Sequence, residues 1–274
     1  MTADMHMHTV HSDGLLTPQD VVDCAESAGL GLIAVTDHDT VSAYSEVADL
    51  AKAKGIKTVT GIEVSAYDDR IKMHTLGYGI DTQKFAPFQQ RLFESSFGRA
   101  QDIIFKLNNM GFDITMEEVF AERNSSTVPV HGMHIARVMV KKGFVVSFDR
   151  FFKKYLAYGK PAFSCIHRPT SEEACRAICE AGGLAVLAHP ARIQMDATAL
   201  KNKIKSLVDN GLGGIEVYYT THTKEQTAYY ENLAETFHLL KTGGSDTHVL
   251  GGNRTIGQPR FEPSAELLKR LNID

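Results

Sequence analysis

Short apolar runs alternate along the chain with stretches whose apolar residues recur at helical spacing. The runs at 3–8, 31–36, 57–64 and 72–79 predict strands. Between the first two, Thr17-Pro18 gives a helix start in the favoured cap-then-proline order. Val21, Val22, Ala25 and Ala28 then keep one face apolar until Gly29. A second helix is expected over 41–54, ending at Gly55. After Asp81 the rhythm changes, because helical segments at 84–110, 115–122, 132–142 and 147–157 follow one another with no strand until about 162. Alternation then resumes, with helix 171–181, strand 184–188, helix 197–209, strand 213–218, helix 223–237 and strand 239–243. This order predicts an α/β barrel comprising 1–81 and 161–274, broken by a helical insertion over 82–160 that serves as lid and substrate-recognition element.

Composition narrows the class. At 274 residues the chain suits one large domain carrying an insertion, and 43% hydrophobic with 23% charged residues is ordinary globular usage. The formal net charge of -4 argues against a broad basic footprint for duplex DNA. Apolar runs such as Leu184 to Ala188 are far shorter than a bilayer span, and Met1-Thr2-Ala3-Asp4 lacks the features of a signal peptide, so the expected location is cytoplasmic. Cys24, Cys165, Cys175 and Cys179 match no zinc spacing and read as ordinary thiols.

Chemistry gathers at the ends of the predicted strands, where α/β barrels carry their catalytic groups. His6-Met7-His8 closes the first strand, and alternation turns both imidazoles to one face. Asp13 follows shortly, and Thr36-Asp37-His38-Asp39-Thr40 ends the second strand. Glu63, His74, His189, Glu216, and Asp246 with His248 stand in comparable positions. A lone histidine is more often a core or surface residue than a ligand, but six of the twelve histidines fall at strand ends. The joint pattern therefore points to a metal site. His11, His167, His222 and His238 read as non-ligands, and His131 is left open.

The motifs His6-x-His8, Asp13-Gly14, Thr36-Asp37-His38-Asp39, Gly61-Ile62-Glu63, His189-Pro190 and Ser245-Asp246-x-His248 resemble those of the PHP (polymerase and histidinol phosphatase) family, in the family's order. The insertion and His134-Ile135-Ala136-Arg137 resemble the branch containing nucleoside 3′,5′-bisphosphate phosphatases and 5′-to-3′ exoribonucleases. The resemblance implies a distorted (β/α)7 barrel holding two or three divalent ions, Mn before Fe or Zn. His6, His8, Glu63 and Asp246 would hold one ion. Glu63 would bridge to a second on His74 and His189, and Asp13, His38 and His248 would hold a third. Asp37, Asp39 and Glu216 would orient ligands or anchor loops. The implied nucleophile is a metal-activated hydroxide rather than a side chain. The implied substrate is a small nucleotide or the 5′ end of short single-stranded RNA, with no membrane partner. His134 and Arg137, three apart on a helix, together with Lys160, would grip a phosphate that is not cleaved. Charge supports a phosphoryl substrate independently, since two divalent ions already outweigh the charges of Asp13, Glu63 and Asp246. The competing readings are a histidinol-phosphate-type phosphatase, a metal-dependent C–N bond hydrolase, and a non-catalytic domain of the kind attached to polymerases.

Overall fold

The computed structural model describes all 274 residues. Three strands, β1 (Ala3–Met7), β2 (Leu32–Val35) and β3 (Lys57–Thr58), pair in parallel. Five more form a second sheet in the order β4 (Gly61–Asp68), β5 (Ile71–Tyr78), β6 (Leu184–Leu187), β7 (Leu212–Tyr219) and β8 (Leu240–Gly244). The pairs β4/β5 and β5/β6 are antiparallel, and the last two pairs are parallel.

Helices fill the connections. They are α1 (Pro18–Ser27), α2 (Tyr44–Ala53), α3 (Thr82–Asn109), α4 (Met116–Phe120), α5 (Gly132–Lys141), α6 (Phe148–Phe151), α7 (Ser171–Glu180), α8 (Ala197–Asp209), α9 (Lys224–Phe237) and α10 (Ala265–Arg270). The Thr17 side chain caps α1 while Asp20 answers to the Thr17 amide at 2.8 Å, the reciprocal arrangement that the sequence favours there. No helix is long and apolar enough to cross a membrane.

The two sheets meet at seams made of single bridges. At one, the His8 amide donates to the Thr247 carbonyl at 3.0 Å. At the other, Asp39 donates to the Glu63 carbonyl at 3.0 Å and Glu63 donates to the Asp37 carbonyl at 3.2 Å. No sheet closes on itself, so what is observed is a mixed α/β fold, the coarser part of the distorted (β/α)7 barrel expected. The chief difference is local. The strand expected over 57–64 stops at Thr58, and its continuation runs on to Asp68 and folds back as β5. Asp69 and Arg70 make the two-residue turn, both with positive φ (47° and 71°). Glycine or asparagine normally signals such a turn, and neither is present. The last helical piece of the insertion also differs, because α6 gives way to a π-helical turn over Phe152–Leu156.

Apolar side chains cluster around this frame. Ile62, Val64, Leu187 and Ile215 of the strands pack with Ile178 of α7, Ile204 of α8 and Leu233 of α9. A separate cluster of Ile103, Leu107, Ile114, Val119, Ile135, Met139 and Phe151 holds the helices of the 82–160 segment together. Helix α3 joins the two, with Phe85 and Leu92 in the first cluster and Ile103 and Leu107 in the second.

Gly244 marks the tightest approach of β8 to β1, because a Cβ there would overlap the Cβ and amide nitrogen of His6. Gly244→Ala is expected to cost about 1–3 kcal/mol, read as a thermal midpoint lowered by several degrees. An unchanged midpoint would mean that this approach is looser than described.

Candidate metal centre

The strand ends deliver nine side chains to one place. His6 and His8 leave β1 fully buried and on one face, as alternation dictates. His8 Nε2 lies 3.2 Å from Glu63 Oε2 and 3.1 Å from Asp246 Oδ1, and His6 Nε2 lies 3.3 and 3.6 Å from the same two atoms. Glu63 Oε2 is also 3.1 Å from His38 Nδ1, while its Oε1 meets His189 Nε2 at 2.8 Å and His74 Nδ1. On the far side of His8, His248 stacks with ring centroids 4.0 Å apart and reaches Asp13 Oδ1 at 3.4 Å. Three groups thus have ligand atoms within 4.8 Å of one another. They are His6-His8-Glu63-Asp246, His38-Glu63-His74 and His8-Asp13-His38-His248. His38 belongs to two of them, and His189 touches the second through Glu63 and His74.

Burial alone would raise the carboxyl of Glu63, yet the imidazoles of His38, His74 and His6 hold it well below the usual carboxylate range. Burial is likewise outweighed at Asp246 by His6 and His248, and at Asp13 by His248 and His38. The carboxylates are therefore ionised. Burial pushes His74 down to about 3 and His38 well below the usual imidazole range, against the pull of the Glu63 carboxylate on both.

Whether divalent ions fit is decided by what these atoms lack. His6 Nε2, both ring nitrogens of His8, His38 Nδ1, Asp13 Oδ1, Glu63 Oε2 and His74 Nε2 are buried without a hydrogen-bond partner. Leaving so many polar atoms dry and unpaired is costly. Cations held between them would satisfy them together, and nitrogen and oxygen donors without thiolate suit Mn, Fe or Zn.

Surrounding groups fix the ligand atoms. Glu216, fully buried, accepts from His6 Nδ1 at 2.9 Å and from the His189 amide at 2.7 Å, so one carboxylate orients two strand ends. Asp37 and Asp39 anchor loops instead. Asp37 accepts from the Thr9 amide and hydroxyl and from Ser12 at 2.6–2.7 Å. Asp39 holds the Ser65 amide at 2.8 Å and Arg168 at 2.6 Å. Asp39, His189 and Asp246 all have positive φ, strain placed at the strand ends that carry the site.

Of the side chains expected to grip a remote phosphate, His134 and Arg137 make contacts within the protein and Lys160 makes none. His134 Nδ1 accepts from the His131 amide at 3.0 Å and so caps α5. Arg137 donates to the Asp13 carbonyl at 2.9 Å and to the Glu122 carbonyl at 3.4 Å, which ties α5 to the Asp13 loop. Lys160 is exposed and makes no side-chain hydrogen bond. His131 does face the cluster, with its ring centroid 5.4 Å from that of His38 and Nε2 buried without a partner. His11, His167, His222 and His238 stand outside the three groups.

The groups around Asp246 lie outside the motifs of the strand ends. Its Oδ2 accepts from Arg254 at 2.6 Å, Tyr219 at 2.7 Å and Arg192 at 3.3 Å, leaving Oδ1 toward the histidines. Tyr219 ends β7 just past Glu216 and could have been read by position, whereas Arg254 lies in a loop with no periodic signal.

Comparison with known proteins gives the family. The PHP domain family matches residues 4–250. The chain belongs to the PHP family. It is 32% identical over 263 residues to a 3′,5′-nucleoside bisphosphate phosphatase of Chromobacterium violaceum, covering 95% of this chain and 92% of that protein. It is also 32% identical over 259 residues to a 5′-3′ exoribonuclease of Haemophilus influenzae, covering 93% of each. A solved structure of an amidohydrolase from Chromobacterium violaceum with bound sulfate and no metal superimposes with a TM-score of 0.88 at 30% identity, covering 98% of this chain and 97% of that one.

Binding to the folded state alone stabilises a protein by about 2.7 kcal/mol at a hundred times Kd. Saturating Mn should therefore raise the thermal midpoint above that in EDTA by about 5–10 °C. The same midpoint in both conditions would show that the cluster does not hold the ion.

Proposed function

We propose that this PHP protein is a metal-dependent phosphoesterase that acts on a nucleotide of the 3′,5′-bisphosphate type or on the 5′ end of short RNA. The observation that carries this reading is the convergence of nine buried or half-buried His, Asp and Glu side chains, with inward atoms of His6, His8, Asp13, His38, Glu63 and His74 left without hydrogen-bond partners. The relatives named phosphatase and exoribonuclease, each spanned nearly end to end, support the substrate class.

His6, His8, Glu63 and Asp246 would hold one ion, Glu63 with His74 and His189 a second, and Asp13, His38 and His248 a third. His38 also stands beside Glu63. Divalent ions so held supply Lewis-acid activation of water and neutralise charge on a phosphoryl group. Glu216 keeps the imidazole of His6 turned with Nε2 inward. Tyr219 and Arg254 keep Asp246 from rotating. Arg192 and Arg254 add positive charge beside the cluster, which favours an anionic substrate. His131 Nε2 is free to hydrogen-bond a phosphoryl oxygen. We read the two sheets as a distorted barrel built from 1–81 and 161–274. The 82–160 segment is read as its lid, brought to the site by His131 and by the Arg137 contact with Asp13.

Two tests follow. Purified protein offered adenosine 3′,5′-bisphosphate, a 5′-phosphorylated oligoribonucleotide, histidinol phosphate and a simple amide, each with several metals, should release phosphate or mononucleotides from one of the first two. Turnover of the amide alone would overturn the reading, and histidinol phosphate as the preferred substrate would reassign it within the phosphatases. His8→Ala and Glu63→Ala should each lower turnover by more than about a hundredfold with the fold retained. Arg137→Ala should act through Asp13, and so weaken hydrolysis of the bisphosphate and of a generic aryl phosphate alike. A loss confined to the bisphosphate would return Arg137 to the role of phosphate clamp.

A further inference from the structure

The last part of the insertion is basic, in a chain whose formal net charge is -4. No acidic residue stands between Arg150 and Lys160, while Lys153 and Lys154 lie within that run. Arg150, Lys153 and Lys154 are all exposed. Lys153 meets Asp149 at 2.9 Å, but the two side chains are 77% and 71% exposed, and a pair so open to water contributes little. Arg150 pairs with no carboxylate, and Lys154 has only the Tyr155 ring, whose centroid lies 5.0 Å from its ammonium. Positive charge is therefore gathered here and left largely uncompensated.

The backbone sets these charges apart from the core. The π-helical turn Phe152–Leu156 sends Tyr155 and Leu156 into the apolar cluster of the insertion and leaves Lys153 and Lys154 outward. Single π turns of this kind are rare and recur at functional sites. The turn packs against the start of α5, where a Cβ on Gly132 would come within 3.1 Å of Phe152 Cε1 and 3.2 Å of Leu156 Cδ1. Gly132 directly follows His131, whose ring centroid is 5.4 Å from that of His38 in the metal cluster. The basic turn thus packs one residue away from a side chain that meets the cluster. Tyr158 follows in the same run, 55% exposed, with its ring held edge-on to Phe163 at 5.6 Å.

We propose that Arg150, Lys153, Lys154 and Tyr158 form a track for single-stranded RNA, which takes the strand downstream of the nucleotides held at the metal centre. This rests on the phosphoesterase reading and deepens it, because it makes the substrate class an RNA strand longer than a dinucleotide. The three cations neutralise backbone phosphates without reading sequence, and Tyr158 offers an aromatic face on which a base stacks. An exposed ring among the cations favours an unpaired strand, whose bases are free to stack, over a lipid surface or a duplex. Longer strands gain these contacts and mononucleotides do not.

The test uses metal-loaded, full-length protein, the combined variant Arg150→Ala, Lys153→Ala and Lys154→Ala, and the single variants Tyr158→Ala and Tyr158→Phe. All four positions are exposed, so the fold is retained. The substrates are adenosine 3′,5′-bisphosphate, a 5′-phosphorylated diribonucleotide and a 5′-phosphorylated uridine decamer. The combined variant should raise KM for the decamer by about tenfold or more, with kcat little changed and with the two short substrates unaffected. Its logarithmic salt dependence on the decamer should be shallower by about 2, the loss of three phosphate contacts at about 0.7 each. Tyr158→Ala should raise the same KM by about fivefold or more, and Tyr158→Phe should restore it. An unmoved KM for the decamer, or equal losses on all three substrates, would overturn the proposal. Should wild type hydrolyse none of the three, the functional reading fails separately, and fluorescence anisotropy of a labelled decamer decides the track. Weaker binding by the combined variant supports it, and equal binding removes it. Cosedimentation with phosphatidylserine vesicles that the combined variant loses, while its decamer binding is unchanged, would assign the surface to a membrane and likewise overturn the proposal.

Discussion

The structure depends on one constraint: the Glu63 carboxylate, almost wholly buried, is ringed by imidazoles of His6, His8, His38, His74 and His189. A carboxylate in a dry interior must be compensated, and here the compensation comes from strand ends far apart in sequence. The same residue makes the backbone seam, since its amide and carbonyl pair with Asp37 and Asp39 of the neighbouring sheet. Fold and site are consequently one object. Moving β4 relative to β2 would open the seam and disperse the imidazoles together.

Around that centre, rigidity is built from carboxylates that each serve several partners. Glu216 ties His6 to the His189 backbone, Asp37 gathers the Thr9–Ser12 loop, and Asp4 collects the amides of His6, Ser245 and Gly257. These buried acceptors take backbone donors that strand ends leave unpaired. Glu216 also holds the positive-φ backbone of His189, while the carbonyls of Glu63 and His6 hold that of Asp39 and Asp246. Such strain is retained where the surrounding contacts over-determine a side chain's position, which suits a site whose ligand atoms must point inward.

Much of this was legible in the sequence, and the exceptions have physical reasons. Strand ends rich in His, Asp and Glu are unusual enough that their convergence could be expected from β/α alternation, and Gly61-Ile62-Glu63 and His189-Pro190 needed no further signal. The β4/β5 hairpin was hidden because Asp69-Arg70 lacks the glycine that normally announces a tight turn. The insertion helices were visible from their spacing, but spacing could not say what Arg137 meets. It places His134 and Arg137 on one side of α5, and only the tertiary fold brings the Asp13 carbonyl there. Arg192 was illegible for a similar reason, since its partner Asp246 is distant in sequence, and Arg254 because its loop carries no periodic signal.

The central claim is that this buried cluster is a multinuclear metal site on which a phosphoesterase is built. Anomalous diffraction at the Mn absorption edge, from crystals grown with Mn, tests it most directly. The account predicts two or three peaks inside the cluster, one of them bounded by His6, His8, Glu63 and Asp246. Crystals with full Mn exposure and no peak among those four side chains would contradict it.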